Sequence, residues 1–327
     1  MEQENKQPLL SICIPTYNRA KYLNQTLKEI VRQAHDINRP DLLEIYVSDN
    51  CSSDDTPSII KKCQESYPLV YNRNKKNIGP DGNFVNCFQK ARGKYIWLLG
   101  DDDLIEDNAV NVIIHIAQNS NYGLIHINCS NKRDKNKKID DRNAFLSNIS
   151  FWITFMSANI IRSEVVKKLQ ITDELLHSYM LQVPFFLTSA TSFPSNYIVY
   201  SRIISKSLAS STNGGYNLFK VFVQNHLGFW KQFAEEGKIS WNCYENVKED
   251  TYKHFLYNYV YQLLFLHRNI MKKNKRKGIK GGFVIDNAWT ILFKTYNRDS
   301  YFWISLLMLP LKFIKEIAKK LLKVILK

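Results

Sequence analysis

The feature that most restricts how this chain can fold is an alternation near its start between short apolar runs and longer stretches of helical spacing. Residues 9–14 (LLSICI) read as a buried strand, and residues 21–33 place Tyr22, Leu23, Leu27, Ile30 and Val31 on one helical face. Residues 44–47 are the next expected strand. A helix over residues 54–66 follows, with Asp54 or Asp55 at its N-cap and Pro57 in its first turn. Residues 69–71 make a third short strand, 81–91 a third helix, 94–99 (KYIWLL) a fourth strand and 107–118 a fourth helix. Strand and helix alternating at this spacing imply right-handed βαβ crossovers. The expected fold class is therefore α/β, a Rossmann-like, mostly parallel sheet flanked by helices.

In an open parallel sheet the ligand crevice lies at the carboxyl ends of the strands. Four loops are candidates: Pro15-Thr16-Tyr17-Asn18-Arg19, Ser48-Asp49-Asn50-Cys51-Ser52, Asn77-Ile78-Gly79-Pro80-Asp81, and Gly100-Asp101-Asp102-Asp103. The three adjacent aspartates of the last loop repel one another unless a cation or cationic ligand sits there. A divalent ion held by one or two carboxylates and by phosphate oxygens is one reading of that loop. The other is that Asp102 or Asp103 caps the following helix. Asp49, at the end of a neighbouring strand with no apolar role, favours the first.

The strings SICIPTYNRAKYL, EIYVSDNCSSDDT, NKKNIGPDGNF and ARGKYIWLLGDDDLI, in this order, resemble the nucleotide-sugar domain of family 2 glycosyltransferases of the GT-A fold. The GPDGNF and LLGDDD variants are most similar to bacterial enzymes that build O-antigen and related surface polysaccharides, the abequosyltransferase-like group. The resemblance covers residues 9–105 well and continues weakly to about residue 187. It implies that Pro15, Thr16 and Tyr17 surround the base and ribose of a nucleotide-sugar, with Asn18 and Arg19 beside them. It further implies that Asp49 bonds the base, uracil in most of the family, and that Asn77, Gly79 and Asn83 line the nucleotide side. Asp102 aligns with the last aspartate of the family's DxD motif, which ligates Mn²⁺ or Mg²⁺ on the diphosphate. This chain departs from that motif, because Gly100 stands at the first Asp position. Asp101 or Asp103 is left to compensate: Asp103 is taken as the second metal ligand and Asp101 as a donor contact. In inverting members an acceptor-side carboxylate is the general base. The candidates are Glu174 and Asp173 in ITDELLHSYM, with His177 next to them, and the competing reading of Glu174 is an exposed helix-start carboxylate.

After residue 122 the pattern changes. Residues 123–128 read as a strand, 131–142 (NKRDKNKKIDDR) as a solvated loop, and 151–161 as apolar again. Further strands and short helices are expected to about residue 202. Residues 205–216, rich in Ser and Gly, are either a lid over the donor or an interdomain linker. From residue 218 helical patterns dominate, including 252–271. The expected division is residues 1–210, binding nucleotide-sugar and acceptor, and residues 211–327, a helical C-terminal region.

The charge is divided the same way. Of the formal net charge of +15, residues 268–327 supply +12, and residues 268–280 hold seven basic side chains and no acid. Over residues 311–327, Phe313, Ile314, Ile317, Leu321, Val324 and Ile325 fall toward one side and Lys312, Lys315, Lys319, Lys320, Lys323 and Lys327 largely toward the other. With the aromatic run at 301–303 this is the pattern of an interfacial helix on anionic lipid; packing on the protein's own body or an oligomer contact through the C-terminal helices are the alternatives. A nucleic-acid partner is not expected, since the crevice loops are acidic and no nucleic-acid-binding motif is found. The polar N-terminus gives no sign of a secretory leader, and no apolar stretch reaches the roughly 20 residues of a spanning helix. The six cysteines show no CxxC pair and read as reduced cytosolic thiols. The functional expectation is metal-assisted, inverting transfer of a sugar from a UDP-type donor to a lipid-linked or lipopolysaccharide-type acceptor, by a protein peripheral on the inner face of a bacterial membrane. The alternative is a non-catalytic scaffold on the membrane surface that keeps the fold.

Overall fold

A computed structural model describes residues 7–37, 39–118, 120–130, 133–208, 215–265 and 283–325. The basic run 268–280, the centre of the Ser/Gly segment (209–214) and the side chains of Lys320, Leu321, Lys323, Val324, Ile325 and Lys327 lie outside the described residues. The chain divides into two compact units, Met1–Ser210 with Phe229–Cys243, and Ser211–Gly228 with Tyr244–Lys327.

Among the described residues the first unit holds ten strands: β1 (Leu10–Thr16), β2 (Leu43–Asp49), β3 (Val70–Arg73), β4 (Tyr95–Leu98), β5 (Asp103–Ile105), β6 (Leu124–Ile127), β7 (Lys137–Ile139), β8 (Asn159–Arg162), β9 (Asn196–Val199) and β10 (Ile204–Ser207). Its helices include α1 (Ala20–His35), α2 (Thr56–Ser66), α3 (Gly79–Lys90), α4 (Ala109–Gln118), α5 (Arg142–Ile149), α6 (Asp173–Leu176) and α7 (Gln182–Ser192). Eight strands form one sheet in the order β3-β2-β1-β4-β8-β6-β9-β7, and β5 pairs with β10 in a two-stranded ribbon. The first four strands of that order are mutually parallel. β8 runs antiparallel to both its neighbours.

β1 and β2 are buried along their whole length, which is why they read as near-continuous apolar runs rather than alternating ones. α1 lays Leu23, Leu27, Ile30, Val31 and Ala34 into the core beside Ile12, Ile14, Ile45 and Val47. From β1 the chain winds out through β2 to β3, and α3 then returns it across the sheet to β4 on the other side of β1. This reversal makes a switch point at the carboxyl ends of β1 and β4, and it opens a crevice there between Thr16 and the Gly100 loop.

Two local expectations are corrected. Residues 131–142 are not all loop, because 137–139 form β7 at the sheet's edge, where backbone pairing with β9 suffices and lysine side chains can stay out in solvent. Neither Asp102 nor Asp103 caps a helix, because Asp103 opens β5 and α4 begins only at Ala109. Of the two N-cap candidates for α2, Asp55 takes the position, while the Asp54 carboxylate accepts from the amides of both Thr56 (3.1 Å) and Ala20 (2.9 Å), so one side chain serves the starts of α2 and α1.

The second unit is helical. The expected helix over 252–271 is a π-helical segment, Thr251–Leu256, running into an α-helix, Tyr257–Phe265, while 266–271 lies outside the described residues. Tyr252, Tyr296 and Phe302 pack edge and face in its core. Among the described residues no helix is long and apolar enough to cross a membrane. The six cysteines are free.

Candidate active site

The four loops singled out in the sequence meet at the switch point around a cleft of about 260 Å³. β1 and its loop contribute Pro15, Thr16, Tyr17 and Arg19; the loop after β2 contributes Asn50; α3 and the residues before it contribute Asn77, Pro80, Asn83 and Phe84; and the turn after β4 contributes Asp101 and Asp102. Met156 closes one side.

Arg19 stands at the centre of its electrostatics. Its guanidinium pairs with Asp101 through Nε (2.9 Å) and with Asp102 through Nη2 (2.6 Å), and it lies 5.1 Å from the ring centroid of Tyr22. The remaining oxygen of the buried Asp101 accepts from Thr16 Oγ1 at 2.7 Å, and the Asp101 carbonyl accepts from Thr26 at 3.0 Å. Burial pushes the Asp101 carboxyl up to about 7, against the pull of Arg19 and Thr16 and with a further push from Asp102 and Asp103. Asp102 is the more open of the pair, and its Oδ2 also accepts from Ser207 Oγ of β10 at 3.0 Å.

Asp103 turns the other way. Its Oδ2 accepts from Ser157 Oγ at 2.6 Å, and the same hydroxyl accepts from the Gly100 amide at 2.9 Å. A β-carbon on Gly100 would lie 2.6 Å from that Asp103 oxygen, so the glycine at this place leaves room for the buried carboxylate. Of the two residues expected to ligate a metal, Asp102 faces the cleft and Asp103 is buried against Ser157.

The expected base-binding residue Asp49 is fully buried and does not line the cleft. Its oxygens accept from the Ser52 amide (2.8 Å) and Tyr71 OH (2.8 Å), and Arg73 Nε lies 3.4 Å away. Asn18, in a left-handed conformation, braces the loop from behind by accepting from the Ser53 amide at 2.7 Å. Gly79, also left-handed at φ +78°, starts α3 and accepts on its carbonyl from Asn50 Nδ2 at 3.0 Å.

An asparagine network that the sequence reading missed fixes one wall of the cleft. Asn50 Nδ2 donates to Asn77 Oδ1 (2.8 Å), and Asn50 Oδ1 accepts from Asn74 (3.1 Å) and from the Ile78 amide (3.0 Å). Asn83 Oδ1 accepts from Ser48 Oγ (2.7 Å) and from Asn74 (3.1 Å), while its Nδ2 donates to the Ser48 carbonyl (2.9 Å). The available signal was position: Asn50 directly follows the carboxyl end of β2.

Asp173 and Glu174 open the short helix α6 as exposed side chains, after the capping hydroxyl of Thr172. His177 Nδ1 lies 2.7 Å from the Asp173 carbonyl, an acceptor, so Nδ1 donates in this contact. The segment is tied to α3, because the Tyr179 amide donates to Asp81 Oδ2 at 2.8 Å and Asp81 lies in the first turn of that helix.

Among the described residues no group of three or more His, Cys, Asp or Glu side chains could enclose a metal ion. The donor set does fit an ion held by one carboxylate and completed by phosphate oxygens and water. Asp102 is the residue that would hold it.

The family model for glycosyl transferase family 2 matches residues 11–173, from β1 to the first residue of α6. These residues are a family 2 glycosyltransferase domain. Among similar curated proteins, abequosyltransferase RfbV of Salmonella typhimurium is 39% identical over 107 residues, 32% of this chain and 31% of that protein. The GalNAc(5)-diNAcBac-PP-undecaprenol beta-1,3-glucosyltransferase of Campylobacter jejuni is 34% identical over 134 residues, 39% of this chain and 40% of that protein. The chain thus spans about a third to two fifths of the length of these relatives. Solved structures similar to it include Staphylococcus aureus TarS 1-349 in complex with UDP, with TM-score 0.61, 16% identity, and 81% and 78% of the two chains covered. The mannosyltransferase PcManGT from Pyrobaculum calidifontis, in complex with GDP-Man and Mn²⁺, gives TM-score 0.56 at 15% identity over 94% and 87%. At these identities the likeness shows the fold. The family 2 domain has the expected mostly parallel sheet flanked by helices, GT-A in class, and a helical region follows it.

Proposed function

We propose that this protein transfers a sugar, with inversion, from a nucleoside diphosphate donor to a hydroxyl of a lipid-linked or surface-polysaccharide acceptor. The observation that carries the reading is the convergence of Thr16, Tyr17, Arg19, Asn50, Asn83 and Asp102 on one cleft at the switch point of a family 2 domain. The UDP complex of TarS and the GDP-Man complex of PcManGT support a nucleotide-sugar donor, and the Mn²⁺ of the latter supports a divalent ion. The name of the Campylobacter relative supports an acceptor of the undecaprenyl-diphosphate-linked kind, and that of the Salmonella relative supports transfer of a sugar.

In this reading Tyr17 and Pro15 pack on the base and ribose, and Asn50, Asn77 and Asn83 give the cleft a wall that is already hydrogen-bonded in place. Departure of the nucleoside diphosphate builds negative charge on the phosphates. Arg19, held at the cleft by Asp101, presents its cation to that charge. A divalent ion bound at Asp102 would add Lewis-acid stabilisation of the leaving group. The acceptor hydroxyl gives its proton to a base on the α6 side, assigned to Glu174 with Asp173 beside it. The protein works peripherally, on the inner face of the membrane that carries its acceptor.

Calorimetric titration with UDP, with and without Mn²⁺, tests the cleft, and hydrolysis of UDP-sugars and other nucleotide-sugars tests the chemistry. Metal-dependent binding together with donor hydrolysis is the expected result. Binding without hydrolysis of any donor would favour the non-catalytic scaffold.

A further inference from the structure

The C-terminal helix Ser300–Ile325 is apolar on the side it turns away from its own unit. Its inner side is fully occupied. Phe302 and Leu309 are buried, Phe313 stacks on Phe265 at 4.5 Å, and Ser305 bonds the hydroxyl of Tyr252. Glu316 accepts from Tyr261 OH at 2.7 Å, and Lys312 lies 4.7 Å from the ring centroids of both Tyr257 and Tyr261. At 3.6 residues per turn the opposite side carries Trp303, Ile304, Leu307, Met308, Leu311 and Ile314, a continuous stripe. All six are exposed, Leu307 to 76% and Ile314 to 61%. This divides the face expected from sequence, since Phe313 belongs to the packed side while Ile314 and Ile317 belong to the open one.

We propose that this stripe is the surface by which the protein lies on an anionic lipid bilayer, the helix in the plane of the interface with Trp303, Leu307, Leu311 and Ile314 among the acyl chains. The inference rests on the peripheral reading above and names the face that performs it. Charge selects lipid over a second copy of the chain. Lys315 and Lys319 are exposed at the border of the stripe, and the helix carries five lysines against the single acid Glu316, so two copies apposed through this helix repel while an anionic surface attracts it. No described helix is able to span a membrane, so the contact is interfacial.

The test is partition of the full chain, without nucleotide, onto phosphatidylcholine vesicles with and without phosphatidylglycerol. Wild type is expected to bind the anionic vesicles, and Leu307→Asn/Leu311→Asn/Ile314→Asn to bind at least tenfold less, with its far-ultraviolet circular dichroism unchanged. As a second readout on a conservatively altered fold, brominated lipids should quench the tryptophan emission of the wild type, and Trp303→Phe should remove most of that quenching. A triple variant that partitions like wild type would leave the peripheral reading standing on the basic residues alone and overturn the assignment of this face. Absence of wild-type binding overturns both. A dimer in light scattering that the triple variant dissolves, without lipid partition, would give the stripe to a second copy and also overturn it. Nucleotide binding is a separate measurement, so none of these results bears on the cleft.

Discussion

Gly100 and Asp103 share a space that admits only one side chain. Asp103 fills it, its Oδ2 held by Ser157 and lying 2.6 Å from where a β-carbon on residue 100 would sit. The familiar first aspartate of the metal motif therefore has no room here unless Asp103 is removed. Gly100→Asp alone is expected to lower both thermal stability and Mn²⁺-dependent UDP affinity, the latter by at least tenfold. The double change Gly100→Asp/Asp103→Gly should recover much of each. Calorimetry and thermal melts on the two variants check this, and a double variant no better than the single would place the conflict elsewhere.

Asp102 is the one carboxylate of the triplet that both faces the cleft and stays partly open. Asp102→Asn keeps an amide oxygen toward Arg19 and Ser207, so the variant should still fold and melt cooperatively. It should abolish the Mn²⁺ enhancement of UDP binding and reduce donor hydrolysis at least a hundredfold. Retained metal dependence would move the ligand to another residue.

Arg19 is directed at phosphate in the proposed reading, not at the base. Arg19→Ala should then weaken UDP by tenfold or more and leave uridine almost unaffected, with Arg19→Lys intermediate because an ammonium supplies the charge without the planar fork. Titration of the two ligands into the three proteins decides it. Equal losses for UDP and uridine would mean that Arg19 shapes the whole loop.

Asp81 ties α3 to the segment after α6 through the Tyr179 amide. Burial raises its carboxyl from the ordinary 3.8 to about 6, although the Tyr179 amide and His177 pull the other way. The unfolded chain thus gives up this proton first as pH rises. Stability falls from about pH 4 to about pH 6 and levels off above, a loss of about 3 kcal/mol for a difference of this size. Asp81→Asn keeps an acceptor for the amide and carries no charge. Its stability relative to wild type should improve by that amount between pH 4 and pH 7 in urea melts; a difference that is flat across this range would rule out burial of the charge as the cause.

What could be read from the chain alone follows from what each residue must do locally. Leu10, Ile12, Ile45 and Trp97 are buried in sheet strands, and the runs around them stand out in any sequence. The loops at the ends of those strands are found by topology, which is why the cleft-lining Thr16, Tyr17, Asn77 and Asp102 were legible in the sequence. β7 was not, because an edge strand of lysine and isoleucine bears no core pattern. Asn50, Asn74 and Asn83 were illegible as a network, since only the packing of β2 beside α3 brings their amides within bonding distance. Asp49 shows the converse: a carboxylate at the expected place whose oxygens the fold engages with Ser52, Tyr71 and Arg73.

The loops after β1 and β2 are stitched together. Ser52 receives the Asn18 amide, Asn18 receives the Ser53 amide, and Asp54 receives Ala20 and Thr56 together. Neither loop can therefore be exchanged by itself. A chimera that imports only the tyrosine loop of another transferase would bring unmatched amides to a foreign partner, whereas one that carries residues 15–20 and 50–56 as a single cassette transplants the whole bonded junction. Donor preference in proteins of this build should be inherited in such paired blocks, and swaps made to alter it should be designed two loops at a time.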